Sequence, residues 1–178
     1  MPDPEVWLRG PIAGVSPFLQ PVAHSLLQSQ EEMTRILPEL SAAEIWSRPG
    51  GAASVGFHAR HAVGSLDRLL TYARGEELHR TQLTLLGTEA TPDHERGIGS
   101  KLVEALDRAI DGALRQLRAT DDTTLLGARA VGRAGLPSTV LGLLVHAAEH
   151  TQRHVGQLVT TARFVRDPNG RSASHAVQ

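Results

Sequence analysis

The sequence predicts an all-α fold, a four-helix bundle with a long crossover between helices 2 and 3. Four long segments repeat apolar residues at three- and four-residue steps, the spacing that lays a stripe along one helix face. Residues that start or stop helices stand at the ends of these segments. No stretch alternates convincingly between apolar and polar residues, so no strand is predicted, and there is no internal repeat.

The first helix is predicted over residues 16–37, where Phe18, Leu19, Val22, Leu26, Met33, Ile36 and Leu37 fall mostly three or four apart. Pro38 ends it, because proline lacks a backbone donor and clashes with the preceding turn. Ser41-Ala-Ala-Glu44 is a capping-box pattern, which predicts a one-turn helix over Ala42 to Trp46 before Pro49-Gly50-Gly51 breaks the chain. Ser54 is placed to cap the second long helix, which carries Val55, Ala62, Leu66, Leu69, Leu70 and Ala73 on one side and ends near Gly75. From Glu76 to Gly99 the pattern weakens into a long connection with a turn of helix, the crossover. The third helix runs from about Gly99 to Arg118, with Leu102, Ala105, Leu106, Ala109, Ala113, Leu114 and Leu117 inward, and Asp121-Asp122 punctuates it. A Gly-rich segment, Leu126 to Gly135, leads to Pro137-Ser138, from which the fourth helix runs to about Phe164. An N-terminal arm, 1–14, thus precedes a bundle domain at 15–165. The polar, turn-forming residues 166–178 are expected to be disordered.

Composition narrows the function classes. A chain of 178 residues with 40% apolar content can bury one good core, and its length fits one domain. A net charge of −1 gives no general attraction to nucleic acid or to an anionic membrane. With no cysteine, the chain has no disulfide, thiolate ligand or cysteine nucleophile, so nitrogen and oxygen donors must build any site. Met1-Pro-Asp-Pro-Glu-Val-Trp lacks the basic start and apolar core of a signal peptide, and no stretch approaches the roughly 20 apolar residues of a membrane span. A cytoplasmic location is expected.

The chemistry-bearing feature is His146-Ala-Ala-Glu-His150-Thr-Gln-Arg-His154-Val-Gly-Gln157, three histidines at four-residue steps in the fourth helix. Residues four apart stack on one face, so two such imidazoles can converge on one metal ion. Plotted at about 100° per residue, Leu144, Ala148, Thr151, Val155, Val159 and Ala162 form the core stripe. Leu143, Ala147 and Leu158 widen it toward His150 and His154, whereas His146 lies nearer the solvated side marked by Glu149, Arg153 and Thr160. A third nitrogen is expected from Ser54-Val-Gly-Phe-His-Ala-Arg-His61. His58 projects with Ala62 and Leu69, and His61 with the more polar Ser54, Ser65 and Tyr72. Spacing does not separate them, although only one should be a primary ligand, since four histidines would close the site to substrate. His24, His79, His94 and His175 have no matching partner pattern and read as solvated.

The order of Trp46-Ser-Arg-Pro-Gly-Gly, Ser54-Val-Gly-Phe-His-Ala-Arg-His61 and His150-Thr-Gln-Arg-His154-Val-Gly-Gln157 resembles the DinB/YfiT-like family of four-helix-bundle proteins, over roughly residues 15 to 165. By position, the resemblance puts the family's metal-binding histidines on His61, His150 and His154. Val155 stands where the family often has an arginine. The resemblance implies a divalent metal on three histidines with open positions, and members with known activity are similar to thiol S-transferases that use a low-molecular-weight thiol or to thiol-dependent isomerases. Zinc, nickel and iron all accept imidazole. An open-coordinated cation stabilises a thiolate or hydroxide, so a thiol S-transferase-like or hydrolase-like reaction on a small-molecule substrate is expected, with a low-molecular-weight thiol as cosubstrate. Gln157, one turn beyond His154, is expected to donate a hydrogen bond behind the ligands, while His58 and His146 are expected to be supporting or neutral.

Competing patterns are incomplete. Glu76-Glu-Leu-His79 has no second copy to build a di-iron site, and His146-Ala-Ala-Glu149-His150 puts its acid in the wrong place for a zincin. No nucleophile elbow, phosphate-binding loop or dinucleotide fingerprint occurs. The rival from another class is a catalytically silent bundle, a metal-binding or stress-response scaffold. The apolar stripe Val15, Phe18, Leu19, Val22, Leu26 and Leu27 exceeds what one bundle core needs, so a homodimer is expected, against a monomer whose arm folds back over these residues.

Overall fold

A computed structural model describes residues 3–167. Four long helices form the bundle: α1 (Gln20–Ile36), α3 (Val55–Ala73), α5 (Ile98–Ala119) and α6 (Val140–Arg166). Two shorter helices, α2 (Ala42–Trp46) and α4 (Arg80–Thr88), lie in the connections. Each long helix packs on two others: α3 and α1 both contact α6 and α5, so α1 and α3 stand on one diagonal and α5 and α6 on the other. Contacts between ends fix the directions. Arg118, at the end of α5, donates to the Ala13 carbonyl before α1, and Arg74, at the end of α3, donates to Gln116 near the end of α5. Thus α3 and α5 are parallel, and the chain between them must return along the bundle. That return is the predicted crossover.

The local causes match the sequence reading. Ser41 and Glu44 form the capping box of α2, and the Ser54 hydroxyl accepts from Phe57 N at 3.1 Å to start α3. The apolar stripes meet in one core, where Leu19, Leu26, Met33, Leu66, Leu106, Ile110, Leu117, Leu144 and Leu158 are fully buried. Gly99 makes the closest backbone approach, since a Cβ there would stand 2.1 Å from the Leu37 carbonyl oxygen. Val15, Leu19, Val22 and Leu26 are buried within the single chain, leaving Phe18 as the exposed member of that stripe. The arm docks on α1, with Val6 N donating to Gln28 Oε1 and Arg9 paired with Glu31.

Two elements differ from expectation. The crossover holds a nine-residue helix, α4, rather than a single turn. Its period is obscured because it buries Gln82 while Leu83, Leu85 and Leu86 stay 46%, 56% and 44% exposed. The Gly-rich segment forms an antiparallel hairpin, β1 (Ala128–Val131) with β2 (Leu136–Thr139), pairing Ala128 with Thr139 and Val131 with Leu136. Neither strand has a buried face, so no apolar alternation marks them; the turn is made by Gly132 and Gly135, both in the left-handed region. The hairpin takes up residues 136–139, so α6 begins at Val140, capped by Thr139, and it extends two residues past Phe164. Residues 168–178, most of the tail expected to be disordered, lie outside the described residues. Among the described residues no helix is long and apolar enough to cross a membrane.

Candidate metal site

Because α3 and α6 are antiparallel, rising numbers on one meet falling numbers on the other, which sets His58 beside His154 and His61 beside His150. His61 Nε2 lies 3.0 Å from His150 Nε2, and His58 Nδ1 lies 3.0 Å from His154 Nδ1. The rings of His61 and His154 are 4.5 Å apart, and those of His150 and His154 4.7 Å. One nitrogen from each of His61, His150 and His154 falls within 4.8 Å of the other two, a group that could hold a metal ion. Two imidazole nitrogens at about 2.0–2.1 Å from one cation stand about 3.0 Å apart at right angles and about 3.4 Å apart at the tetrahedral angle. The His61–His150 separation fits that range.

Burial keeps His150 and His154 unprotonated near neutral pH, as ligation by them requires. Burial lowers the pKa of His154 to about 4, helped by the nearby His61, His150 and His58. Burial, then His61 and other neighbouring charges, lowers His150; burial and His61 lower His58. His150 Nδ1 is buried without a hydrogen-bond partner. Phe57 stacks on the His61 ring at 5.3 Å, nearly parallel, and presents its edge toward His58 and His154.

The remaining histidines separate cleanly. His58 is buried against His154 outside the three-nitrogen group. His146 lies on the polar edge of α6, half exposed, with Nδ1 3.3 Å from Glu149. His24 contacts the Gly10 carbonyl and His79 caps α4, both away from the cluster. Gln157 is exposed and makes no side-chain hydrogen bond among the described residues; it lines a 510 Å³ cleft with His58, Arg153 and Thr160.

Sequence reasoning missed Glu89 and Arg68. Glu89 Oε2 lies 2.6 Å from His61 Nδ1, and Arg68 donates to Glu89 Oε1 at 2.8 Å. Burial pushes the Glu89 carboxyl up, but hydrogen bonds from His61 and Arg68 and the Arg68 charge outweigh it and hold the group below its ordinary value. It is therefore ionised at neutral pH, a buried negative charge beside the histidine cluster. Arg68 had a legible signal, seven residues after His61 on the same helix strip. Glu89 had none, because it closes a helix whose apolar residues face solvent.

A model of the DinB superfamily matches residues 2–158. Among solved structures, the chain is similar to a conserved protein from Enterococcus faecalis, with a TM-score of 0.64 and 21% identity over 83% of this chain and 96% of that one. At that identity the likeness concerns the fold. No curated protein matches the sequence.

Proposed function

This chain belongs to the DinB superfamily, and we propose that it is a metal-dependent enzyme in which His61, His150 and His154 bind a divalent zinc, nickel or iron ion. The observation that carries the proposal is the convergence of three imidazole nitrogens within 4.8 Å on two packed helices. Three protein ligands leave coordination positions for substrate, the arrangement of catalytic rather than structural sites. A cation bound there supplies Lewis-acid chemistry that lowers the pKa of a bound thiol or water near neutral pH, in a chain with no cysteine of its own. The reactions this chemistry supports are thiol S-transfer, from a low-molecular-weight thiol to a small electrophile, and hydrolysis.

The chain's own groups have definable tasks. His150 and His154, kept neutral by burial, present lone pairs at physiological pH. Phe57 covers one face of His61 and limits water there. The cleft beside His58, edged by Ala52, Ala53, Arg153 and Thr160, offers a seat for the small molecule next to the cluster.

The test is turnover of an electrophile by a panel of low-molecular-weight thiols, using the full chain loaded in turn with zinc, nickel and iron. Metal-dependent product formation, lost in His154→Ala, is the expected result. Bound metal with no turnover for any thiol and no hydrolysis would favour the silent metal-binding bundle.

A further inference from the structure

We infer that Glu89 is a positioning residue of the metal site, so that the crossover helix α4, and not the bundle alone, builds it. The inference rests on the reading of His61, His150 and His154 as ligands. Glu89 is buried, with one carboxylate oxygen 2.6 Å from His61 Nδ1 and the other 2.8 Å from Arg68 Nη1. A carboxylate only accepts hydrogen bonds, so His61 must carry its proton on Nδ1. In the neutral ring that ligation requires, the Nε2 lone pair is then directed at His150 Nε2, 3.0 Å away, where the three nitrogens converge. Carboxylates that fix a ligating imidazole in this manner raise its basicity and set its ring orientation.

The carboxylate is itself held in place by its surroundings. Arg68, on the same helix as His61, pins one oxygen. Gly64, between them, allows the close approach: a Cβ there would stand 2.5 Å from Glu89 Oε1 and 2.8 Å from Arg68 Nη1. The rest of the crossover is anchored by polar contacts to α3, through Gln82 Nε2 to Asp67 and Thr71 and through Arg60 to the Thr91 carbonyl and Asp93. The segment outside the four-helix frame therefore delivers its carboxylate to one ligand's far nitrogen.

Two variants of the full chain test the role. In Glu89→Gln, Arg68 retains the carbonyl oxygen and turns the amide NH₂ toward His61, which must then accept at Nδ1 and carry its proton on Nε2. Gly64→Ala keeps every polar group and displaces the carboxylate, with the clash falling on side-chain ends rather than backbone. Zinc affinity, measured by competition with a chelator, should fall about 10–100-fold in both, while circular dichroism of the metal-free protein stays that of the parent. Ring-nitrogen NMR of the metal-free chain, with the His61 signals identified by their loss in His61→Asn, should show Nδ1–H in the parent and Nε2–H in Glu89→Gln. Parent-like zinc affinity in folded Glu89→Gln overturns the inference and leaves the metal site standing. If the parent binds none of zinc, nickel and iron, the metal reading falls instead, and the NMR still decides Glu89: an Nε2–H tautomer in the parent overturns it, and an Nδ1–H tautomer that switches in Glu89→Gln supports it.

Discussion

The α3–α6 seam and the crossover between α3 and α5 are built on opposite principles, although both reach the histidine cluster. The seam is apolar below the histidines: Leu66, Leu144, Val155 and Leu158 are fully buried there, and the imidazoles ride on its edge. The crossover leaves three leucines of α4 largely exposed and buries a glutamine and a glutamate instead. Burial of apolar surface sets the stability of the first region, whereas directional hydrogen bonds set the placement of the second. The seam brings the imidazoles together, and the crossover touches the far nitrogen of one of them.

The largest effects should come from breaking the seam. Leu144→Ala or Leu158→Ala removes a fully buried side chain and should cost about 2–5 kcal/mol in urea denaturation. Gly99→Ala, which forces a methyl against the Leu37 carbonyl, should cost about 1–3 kcal/mol. In the crossover the comparable lesion is polar. Gln82→Ala strips Asp67 and Thr71 of a donor and the His79 amide of its acceptor, which should cost about 1–3 kcal/mol and appear chiefly as faster amide exchange over residues 79–89. Leu85→Ala, at an exposed leucine of the same helix, should stay within about 0.5 kcal/mol. If Leu85→Ala cost as much as Leu144→Ala, the contrast between the two regions would be wrong.

The pH dependence of the metal-free protein sharpens the comparison further. His154 titrates near 4 in the fold, against about 6.5 in an unfolded chain. Between those values the unfolded chain binds a proton that the folded one refuses, so stability rises with pH across the window and is lost as pH falls from about 6.5 toward 4. His58 and His150, lowered mainly by burial, act in the same direction. Melting temperature in the presence of a chelator should therefore drop on acidification through this range, and His154→Gln should flatten the slope.

The same division explains what the sequence revealed. Periodicity found the four long helices because each must bury a stripe, and Leu144, Ala148, Thr151, Val155 and Ala162 of α6 are buried as the helical projection indicated. That projection also put His150 and His154 on the core edge and His146 on the polar side, matching their exposure. It did not choose between His58 and His61, because the choice depends on how α3 and α6 are set against each other; family resemblance pointed to His61, and the convergent nitrogens include it. The hairpin escaped because a two-stranded ribbon with no buried face needs no alternation. Glu89 escaped because its partners, His61 and Arg68, lie 28 and 21 residues away in sequence and no repeat connects them.

The three-histidine site is tested most directly by elemental analysis of the purified full chain, its His146→Ala form and its His150→Ala form, each with circular dichroism. One divalent ion per chain is expected in the first two. In His150→Ala the ion should be gone while helix content is preserved, because the bundle is held by its apolar stripes. Absence of bound metal in the parent, or undiminished metal in folded His150→Ala, would contradict the account.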